Sequence, residues 1–493
     1  MSSEALLAVI GVLIALYSIL PAERRLDLHL RLGRFDWCLA IAALASLHYI
    51  SYFPVLDSLG IALPLGPWRW GFTADSTSYL IVIGTVGIIW IRASRARLTV
   101  TKLPQFARLV EQLIASGHSS DLAYLLERDL GSLEEIERRL RPAIGAGPTM
   151  SRSHDVLRDV LRRLLTTRGI VSEIAVYRPA LAARLGGLEV WDRWEFLELL
   201  VRTLLDRQHS PLYYEIEHNQ NLRSGHRYAI PPSNVFLTFF LSDAQRAHDL
   251  RIYGYFGDYA LGELTRLSGD AAGARYNAAL GDYHERERWS CPVHSCIRVF
   301  DIMLSEALHQ GVRSHMWLYY FPLFAERIVS NLSPRLDVDL MSEWPTPYHY
   351  LLYDVVGTLC GLLEESTSIP ATQANIAVTT VDLEADNTSI AKSAAIVLGQ
   401  VLRRVLVANG GSGHFKTYLV GIALRNAEKL RLSGRVNLAT VVSQSIAEGG
   451  PGYHTTQDEY PEQLVEALRG VDWLLREKFR ADPHLATGIA ASR

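Results

Sequence analysis

The sequence predicts a mainly α-helical protein: three N-terminal transmembrane helices followed by a large, irregular all-α cytosolic domain, which a partly solenoidal arrangement would suit. Three observations lead to this fold class. Long uncharged apolar runs lie near the N-terminus, arginine-rich and arginine-poor loops alternate between them, and apolar residues recur at helical spacing through most of the remainder. At 493 residues, the chain is long enough for two or three domains.

The apolar runs lie at about residues 5–22, 37–56 and 76–91. A helix that crosses a bilayer needs roughly 17 to 25 predominantly apolar residues. The first two runs meet this requirement, and the third falls slightly short of it. Because flanking arginines can extend their charged ends to the interface, the third run is also expected to span.

The loops around these runs predict the orientation. Four basic residues lie between the first two runs: Arg24, Arg25, Arg31 and Arg34. Four more follow the third run: Arg92, Arg95, Arg97 and Lys102. Only Arg69 lies between the second and third runs. Cytosolic loops carry the excess of Lys and Arg. The pattern therefore predicts a multi-pass protein of the bacterial inner membrane, with the N-terminus outside and the C-terminus cytosolic.

The expected domain order is a membrane domain (1–97), a juxtamembrane helical segment (98–145), a cytosolic helical domain (150–480) and a tail (481–493). A Pro- and Gly-rich stretch, Arg141–Arg152, is typical of a linker between the second and third of these. Two segments have the pattern of extended structure. Leucines alternate from Leu26 to Leu32, and Asn375–Leu383 is rich in β-branched residues.

Composition excludes some function classes. The formal net charge of −3 argues against a nucleic-acid-binding protein, which needs a concentrated basic face. The four cysteines are too few for a disulfide scaffold and are expected to be reduced thiols. Arginines outnumber lysines by 44 to 5, a bias that GC-rich bacterial coding explains.

One residue set suggests metal chemistry. His226, His248, Asp249 and Asp301 occur in the order that helical HD-type phosphohydrolases use to hold divalent metal ions, which activate water. The other His-Asp pair, His154-Asp155, has no such context, and two pairs in a chain with 16 histidines are no more than chance provides. A membrane-tethered, metal-dependent phosphohydrolase is therefore the alternative function.

Three further motifs favour structural roles. Glu215-x-x-His218 and Glu306-x-x-His309 have the spacing of di-iron ligands, Cys291, His294 and Cys296 are possible zinc ligands, and Asn409–Thr417 is glycine-rich before a lysine. A phosphate-binding loop has glycine directly before its lysine, whereas this chain has Phe415 there. The sequence therefore favours buried cysteines at a helix start and a helix-to-helix turn.

The leading functional hypothesis is non-enzymatic. It describes an inner-membrane-anchored protein without a cofactor, whose cytosolic domain binds a protein partner or senses a signal. Membrane lipid is an expected partner. Small residues four apart in the spans, such as Ala42 and Ser46, let the three spans pack closely together, or let the spans of two copies pack in a homo-oligomer. The layout also resembles that of bacterial antiviral effectors that act on the membrane. A pocket is expected among Tyr213–Tyr228, His315–Tyr320 and Thr346–Asp354, where aromatic and polar residues concentrate.

Overall fold

The computed structural model describes residues 18–19, 22–61, 73–140, 152–188, 193–218, 230–268, 271–313, 315–333, 338–385, 388–451 and 459–492. Over these residues the chain is mainly helical and has no β-strand, which confirms the predicted fold class at that level. The chain divides into two compact units, Met1–Ile174 (unit 1) and Ala175–Arg493 (unit 2).

The described residues form 23 α-helices. They are α1 Ala22–Arg31, α2 Arg34–Ser58, α3 Ala74–Arg95, α4 Leu103–Ala115, α5 Ser119–Leu140, α6 Arg152–Thr166, α7 Arg168–Tyr177, α8 Pro179–Gly186, α9 Arg193–Asp206, α10 Pro211–His218, α11 Val235–Leu241, α12 Ala244–Asp249, α13 Ile252–Leu267, α14 Ala271–Tyr276, α15 Pro292–Gln310, α16 Tyr320–Asn331, α17 Pro347–Glu365, α18 Ile390–Val407, α19 Gly413–Leu432, α20 Val436–Glu448, α21 Tyr460–Gly470, α22 Trp473–Lys478 and α23 Ala486–Ala491.

Two helices, α2 and α3, are long and apolar enough to cross a membrane. They contain the second and third apolar runs, whereas the first run, 5–22, lies almost entirely outside the described residues. Only 11% of the apolar window of each helix is buried. Ile41 is 64% exposed and Trp90 is 74% exposed. The two helices therefore leave most of their apolar surface uncovered by the described part of the chain.

The prediction of extended structure at Leu26–Leu32 is wrong, because α1 covers Ala22–Arg31. The same leucines also satisfy a helical period, since Leu26 and Leu30 are one turn apart and fall on one face. Arg31 pairs with Asp27 across one turn, with 3.2 Å between Nε and Oδ1. Leu30 is buried, and α1 packs on α4. Tertiary burial therefore decides between the two periods.

The predicted strand at Asn375–Leu383 is also absent; the segment forms turns and irregular loop. No second strand exists within the described ranges to pair with it. Side chains hold the segment instead. The amide of Asn375 donates to the carbonyl of Leu308 at 2.9 Å, and Nζ of Lys392 donates to the carbonyl of Asp382 at 2.6 Å.

A polar contact joins the two apolar helices of unit 1. Nε of Arg92 in α3 lies 2.5 Å from Oδ1 of Asp36 in α2, and Asp36 is buried. The other carboxylate oxygen of Asp36 accepts the backbone N–H of Gly33 at 2.7 Å. Arg31 donates to the carbonyl of Ala93 at 2.9 Å, which ties α1 to the end of α3. These bonds lie at the arginine-bearing ends of α2 and α3.

The core of unit 2 is built around α18. Fourteen of its 18 residues are buried, and it packs against α16, α17 and α20. Its apolar residues occupy most of the helix circumference, so they have to be covered on several sides. The closest approach is to α20: a Cβ on Gly399 would lie 2.2 Å from the carbonyl oxygen of Ser445. A glycine is therefore required at this crossing.

Proline is favoured at the first position of a helix, and α17 begins at Pro347 with Thr346 as its N-cap. Residues 481–493, predicted to be a tail, contain α23, and Leu485 and Ile489 are buried.

Replacing Gly399 with alanine is expected to destabilise unit 2, because the new methyl group would overlap the backbone of α20. The expected loss is about 1–3 kcal/mol of unfolding free energy. Gly262→Ala is the matched control, since no neighbouring atom lies within 4 Å of the place that its methyl group would take and alanine raises helix propensity by about 0.5–1 kcal/mol. Thermal melts followed by circular dichroism would test this; a melting midpoint for Gly399→Ala equal to that of the control would contradict it.

Candidate functional site

The described residues of the predicted metal set have structural partners of their own. Asp301 in α15 is buried and accepts from Arg298 at 2.5 Å. Asp249 is exposed and accepts from Gln245 at 3.0 Å. The ring of His248 lies beside those of Tyr253 and Trp317.

His226 lies outside the described residues. Within the described ranges, no three His, Cys, Asp or Glu side chains are grouped closely enough to hold a metal ion. The four-residue metal site therefore stays a prediction.

The two Glu-x-x-His motifs serve helix packing. The carboxylate of Glu215 is buried and accepts the backbone N–H groups of Phe236 and Leu237 at 3.1 and 2.8 Å, which caps the start of α11. Burial raises the pKa of this carboxyl group. In the second motif, Nε2 of His309 lies 2.8 Å from the carboxylate of Glu365 in α17. Each motif thus joins neighbouring helices.

The glycine-rich segment before Lys416 is a helix-to-helix turn between α18 and α19, as predicted. Lys416 does not point into this turn as the lysine of a phosphate-binding loop would. Its Nζ donates to the carbonyls of Leu406 and Ala408, each at 2.7 Å. The lysine therefore satisfies carbonyl groups left free at the end of α18.

A cleft of about 340 Å³ in unit 2 is the candidate site. It lies where α13, α14, and the starts of α15 and α17 meet. Its lining contains acidic, basic, phenolic and thiol groups: Gln208, Glu263, Arg266, Leu267, Arg275, Tyr276, Tyr283, Glu287, Ser290, Cys291, Pro292 and Pro347. Two helices that begin with proline, α15 and α17, contribute their first residues to it.

The charged groups of the cleft are paired with one another. Arg266 lies 2.5 Å from Glu263 one turn earlier in α13. Arg275 lies 2.7 Å from Glu287, which joins α14 to the segment before α15. Both arginine side chains are more than half exposed, so the pairs lie at the rim and exchange readily with a polar ligand.

Cys291 forms the buried wall of the cleft. It is the N-cap of α15, where its sulfur accepts the backbone N–H of His294. The hydroxyl of Tyr276 donates to the same sulfur at 3.3 Å. Burial raises the pKa of the Cys291 thiol. The thiol is therefore protonated at neutral pH and is not an activated nucleophile.

His294 follows Cys291 by one turn and pairs with Asp354 of α17. Its Nδ1 lies 2.8 Å from Oδ2 of Asp354. Burial lowers the pKa of His294, although Asp354 opposes this effect, so the ring is neutral at pH 7 and donates from Nδ1 to the carboxylate. Nε2 of His294 is buried and has no hydrogen-bond partner within the described part of the chain. A neutral, buried imidazole of this kind fixes α15 against α17.

Sequence reasoning found part of this site. It predicted a pocket among Tyr213–Tyr228, His315–Tyr320 and Thr346–Asp354. Pro347 of the third segment lines the cleft, whereas no described residue of the first two does, and 219–228 lie outside the described residues. Glu263, Arg266 and Tyr276 were not predicted, because they reach Cys291 and Pro347 only through packing between segments that are distant in the sequence. One feature of the sequence could have indicated the cleft: two helices begin with a proline, at Cys291-Pro292 and at Thr346-Pro347, and both prolines line it.

No protein-family model, curated protein or solved structure matches the chain. Its functional interpretation therefore depends on geometry and chemistry: a polar cleft with paired charges in unit 2, and two uncovered apolar helices in unit 1.

His349 generates a pH-dependent prediction. It is fully buried in α17, with Nδ1 2.8 Å from the hydroxyl of Thr346 and its ring against Phe415, and burial lowers its pKa to about 4. The unfolded chain then binds more protons than the folded chain between about pH 6.5 and 4. Stability is therefore lost as the pH falls through this range, by about 3 kcal/mol from this residue.

The role of His349 can be tested by measuring the free energy of unfolding at about pH 7 and at about pH 4.5, because most of the expected loss falls between these two values. His349→Asn keeps a polar partner for Thr346 but does not titrate, so its loss of stability between the two pH values should be smaller than that of the parent chain. The exposed His118→Asn is the control and should leave the loss unchanged. Equal losses in the parent chain and His349→Asn would refute the assignment.

Proposed function

We propose that the chain is a membrane-anchored binding protein. The observation that carries the proposal is the contrast between α18, which is apolar and buried, and α2 and α3, which are apolar and only 11% buried over their spanning windows. Lipid would cover the surface that protein does not. In this proposal α2 and α3 cross the bacterial inner membrane, the run 5–22 is a third span with its N-terminus outside, and unit 2 is cytosolic.

Aromatic residues support an interface at the arginine-bearing ends of α2 and α3. Trp37 is 46% exposed near the start of α2, and Trp90 is exposed near the end of α3. Tryptophan favours the membrane–water interface. Arg34 and Arg92 lie beyond these tryptophans along their helices, as expected for a cytosolic boundary.

The chemistry of the cleft supports binding rather than catalysis. Burial keeps the Cys291 thiol protonated, His294 is neutral and held by Asp354, and the rim charges are paired. In the proposed function a partner protein or a signal is recognised at this cleft, without a cofactor. Membrane lipid surrounds α2 and α3, where Ala42 and Ser46 are exposed and available to a second copy. By analogy of layout alone, a membrane-acting antiviral effector is one role for such a protein.

A charge in the middle of α3 should prevent membrane insertion of α3 itself. Ile83 is 50% exposed at the centre of α3, and aspartate at the centre of a span costs about 2.5–3.5 kcal/mol. Because the run 5–22 and α2 still cross the membrane, Ile83→Asp is expected to leave the C-terminus outside, so a fused C-terminal reporter that is active only outside the inner membrane should gain activity. Leu432→Asp, at a 78% exposed position of unit 2, is the control and should leave the reporter inactive. A reporter that stays inactive in Ile83→Asp would count against α3 as a span.

A photo-crosslinking amino acid at Gln208, an exposed residue that lines the cleft, tests binding there. In cells, illumination should give one adduct of defined mass. The same group at Leu432 is the control and should give none. If neither position gives an adduct, or if both give the same one, recognition at the cleft is refuted.

A further inference from the structure

A second cleft, in unit 1, has five arginines among its fifteen lining residues. It has a volume of about 590 Å³ and lies among α1, the residues that follow α3, and α5. Five of its lining residues are cationic and two are anionic: Arg31, Arg95, Arg97, Arg128 and Arg139, against Asp129 and Glu135. Apart from Asp129 and Glu135, the lining carries no carboxylate within the described residues. The cleft therefore has an excess of positive charge.

Several of these arginines have structural partners. Arg128 pairs with Asp27 and Asp129, each at 2.8 Å, and Arg139 pairs with Glu135 at 2.7 Å. Arg95 and Arg97 are exposed, and neither forms an ion pair within the described part of unit 1. Two guanidinium groups are thus available at the open side of the cleft.

Arg31 has one buried guanidinium nitrogen that lacks a hydrogen-bond acceptor within the described residues. Its side chain is 13% exposed; Nε pairs with Asp27, and one terminal nitrogen donates to the carbonyl of Ala93. The other terminal nitrogen is buried and has no partner within the described ranges. A buried donor left unpaired is destabilising. An acceptor bound in the cleft would remove this cost.

The position of the cleft indicates where that acceptor comes from. Residues 94–100 of its lining begin in the last turn of α3 and continue directly beyond it. If α3 spans the membrane, as the proposed function holds, these residues lie at the depth of the lipid headgroups. Arginine binds phosphate with two parallel hydrogen bonds, and basic pockets at this depth bind anionic headgroups.

We propose that the arginine-lined cleft binds the phosphate group of an anionic phospholipid. Arg95 and Arg97 contact the phosphate oxygens from the open side, and the buried nitrogen of Arg31 donates from within. The inference rests on the proposed membrane anchor, and it adds a specific lipid site to it.

Asp129 gives the site a pH dependence. Burial raises the pKa of Asp129 to about 6; Arg31 lowers it and Asp27 raises it. The other charged groups of the cleft are Arg128, Glu135 and Arg139 on the same helix, Arg95 at the end of α3 and Arg97 just beyond it. Protonation of Asp129 removes one negative charge from among these arginines, so phosphate binding is stronger below this pKa than above it.

The test uses the full chain in detergent, titrated with phosphatidylglycerol or phosphatidylcholine, with bound lipid counted by native mass spectrometry. Phosphatidylglycerol should be retained selectively. Arg97→Gln should weaken its retention about fivefold, the effect of one arginine near an anionic headgroup. Arg97 is exposed and makes no ion pair within the described residues, so this variant is expected to fold; Arg31→Gln, which also loses a bond to α3, is the second variant.

Arg163→Gln is the matched control. It removes one positive charge from unit 1 at a half-exposed position that does not line the cleft. Retention unchanged in this control, with loss in Arg97→Gln, supports the site. Equal loss in both variants, or equal retention of the two lipids, overturns it. Competition by inorganic phosphate at the concentration of the lipid would overturn the lipid assignment and show that the ligand is a soluble phosphate instead.

The result separates this inference from the anchor itself. If the chain resists carbonate extraction but shows no lipid selectivity, the cleft proposal fails and the anchor stands. If the chain is not in the membrane fraction, the anchor and the lipid site both fail, and inorganic phosphate binding then decides whether the cleft takes a soluble ligand.

Discussion

Each apolar helix of this chain needs its surface removed from water, and the two units meet this constraint differently. In unit 2, α18 is covered by α16, α17 and α20, so closely that Gly399 has no room for a side chain. The positions of α17 and α20 are therefore fixed by their contact with α18. In unit 1, α2 and α3 cover only a small part of each other. One requirement thus builds a protein core in unit 2 and leaves a lipid-compatible surface in unit 1.

Buried polar groups in unit 2 work at helix ends rather than at a reaction centre. Glu215 accepts N–H groups at the start of α11, and Asn375 donates to the carbonyl of Leu308 near the end of α15. Each side chain satisfies a backbone group that would otherwise be buried without a partner. This is why residue pairs with the spacing of metal ligands turn out to hold helices together.

The sequence predicted helices well because a period of about 3.6 residues survives in most segments, as in α6 and α18. It failed where two periods coincide: Leu26–Leu32 satisfies both alternation and helical spacing, and only packing on α4 distinguishes them. It failed again at Asn375–Leu383, where β-branched residues lie in a loop that side chains hold. The cleft in unit 2 was only partly predictable, because residues from Gln208 to Pro347 line it and no local pattern records their approach.

The chain has 44 arginines but only 5 lysines, and each of the 5 lysines has a defined contact in the structure. Lys102, Lys392 and Lys416 each donate to backbone carbonyls, and Lys429 and Lys478 pair with glutamates. A compact ammonium group has three donors that reach carbonyls pointing in different directions, whereas a guanidinium group holds its donors in one plane. Amine-directed reagents applied to this protein would consequently report the opening of the loop before α18 at Lys392 and of the end of α18 at Lys416, and would give little information on the proximity of its surfaces.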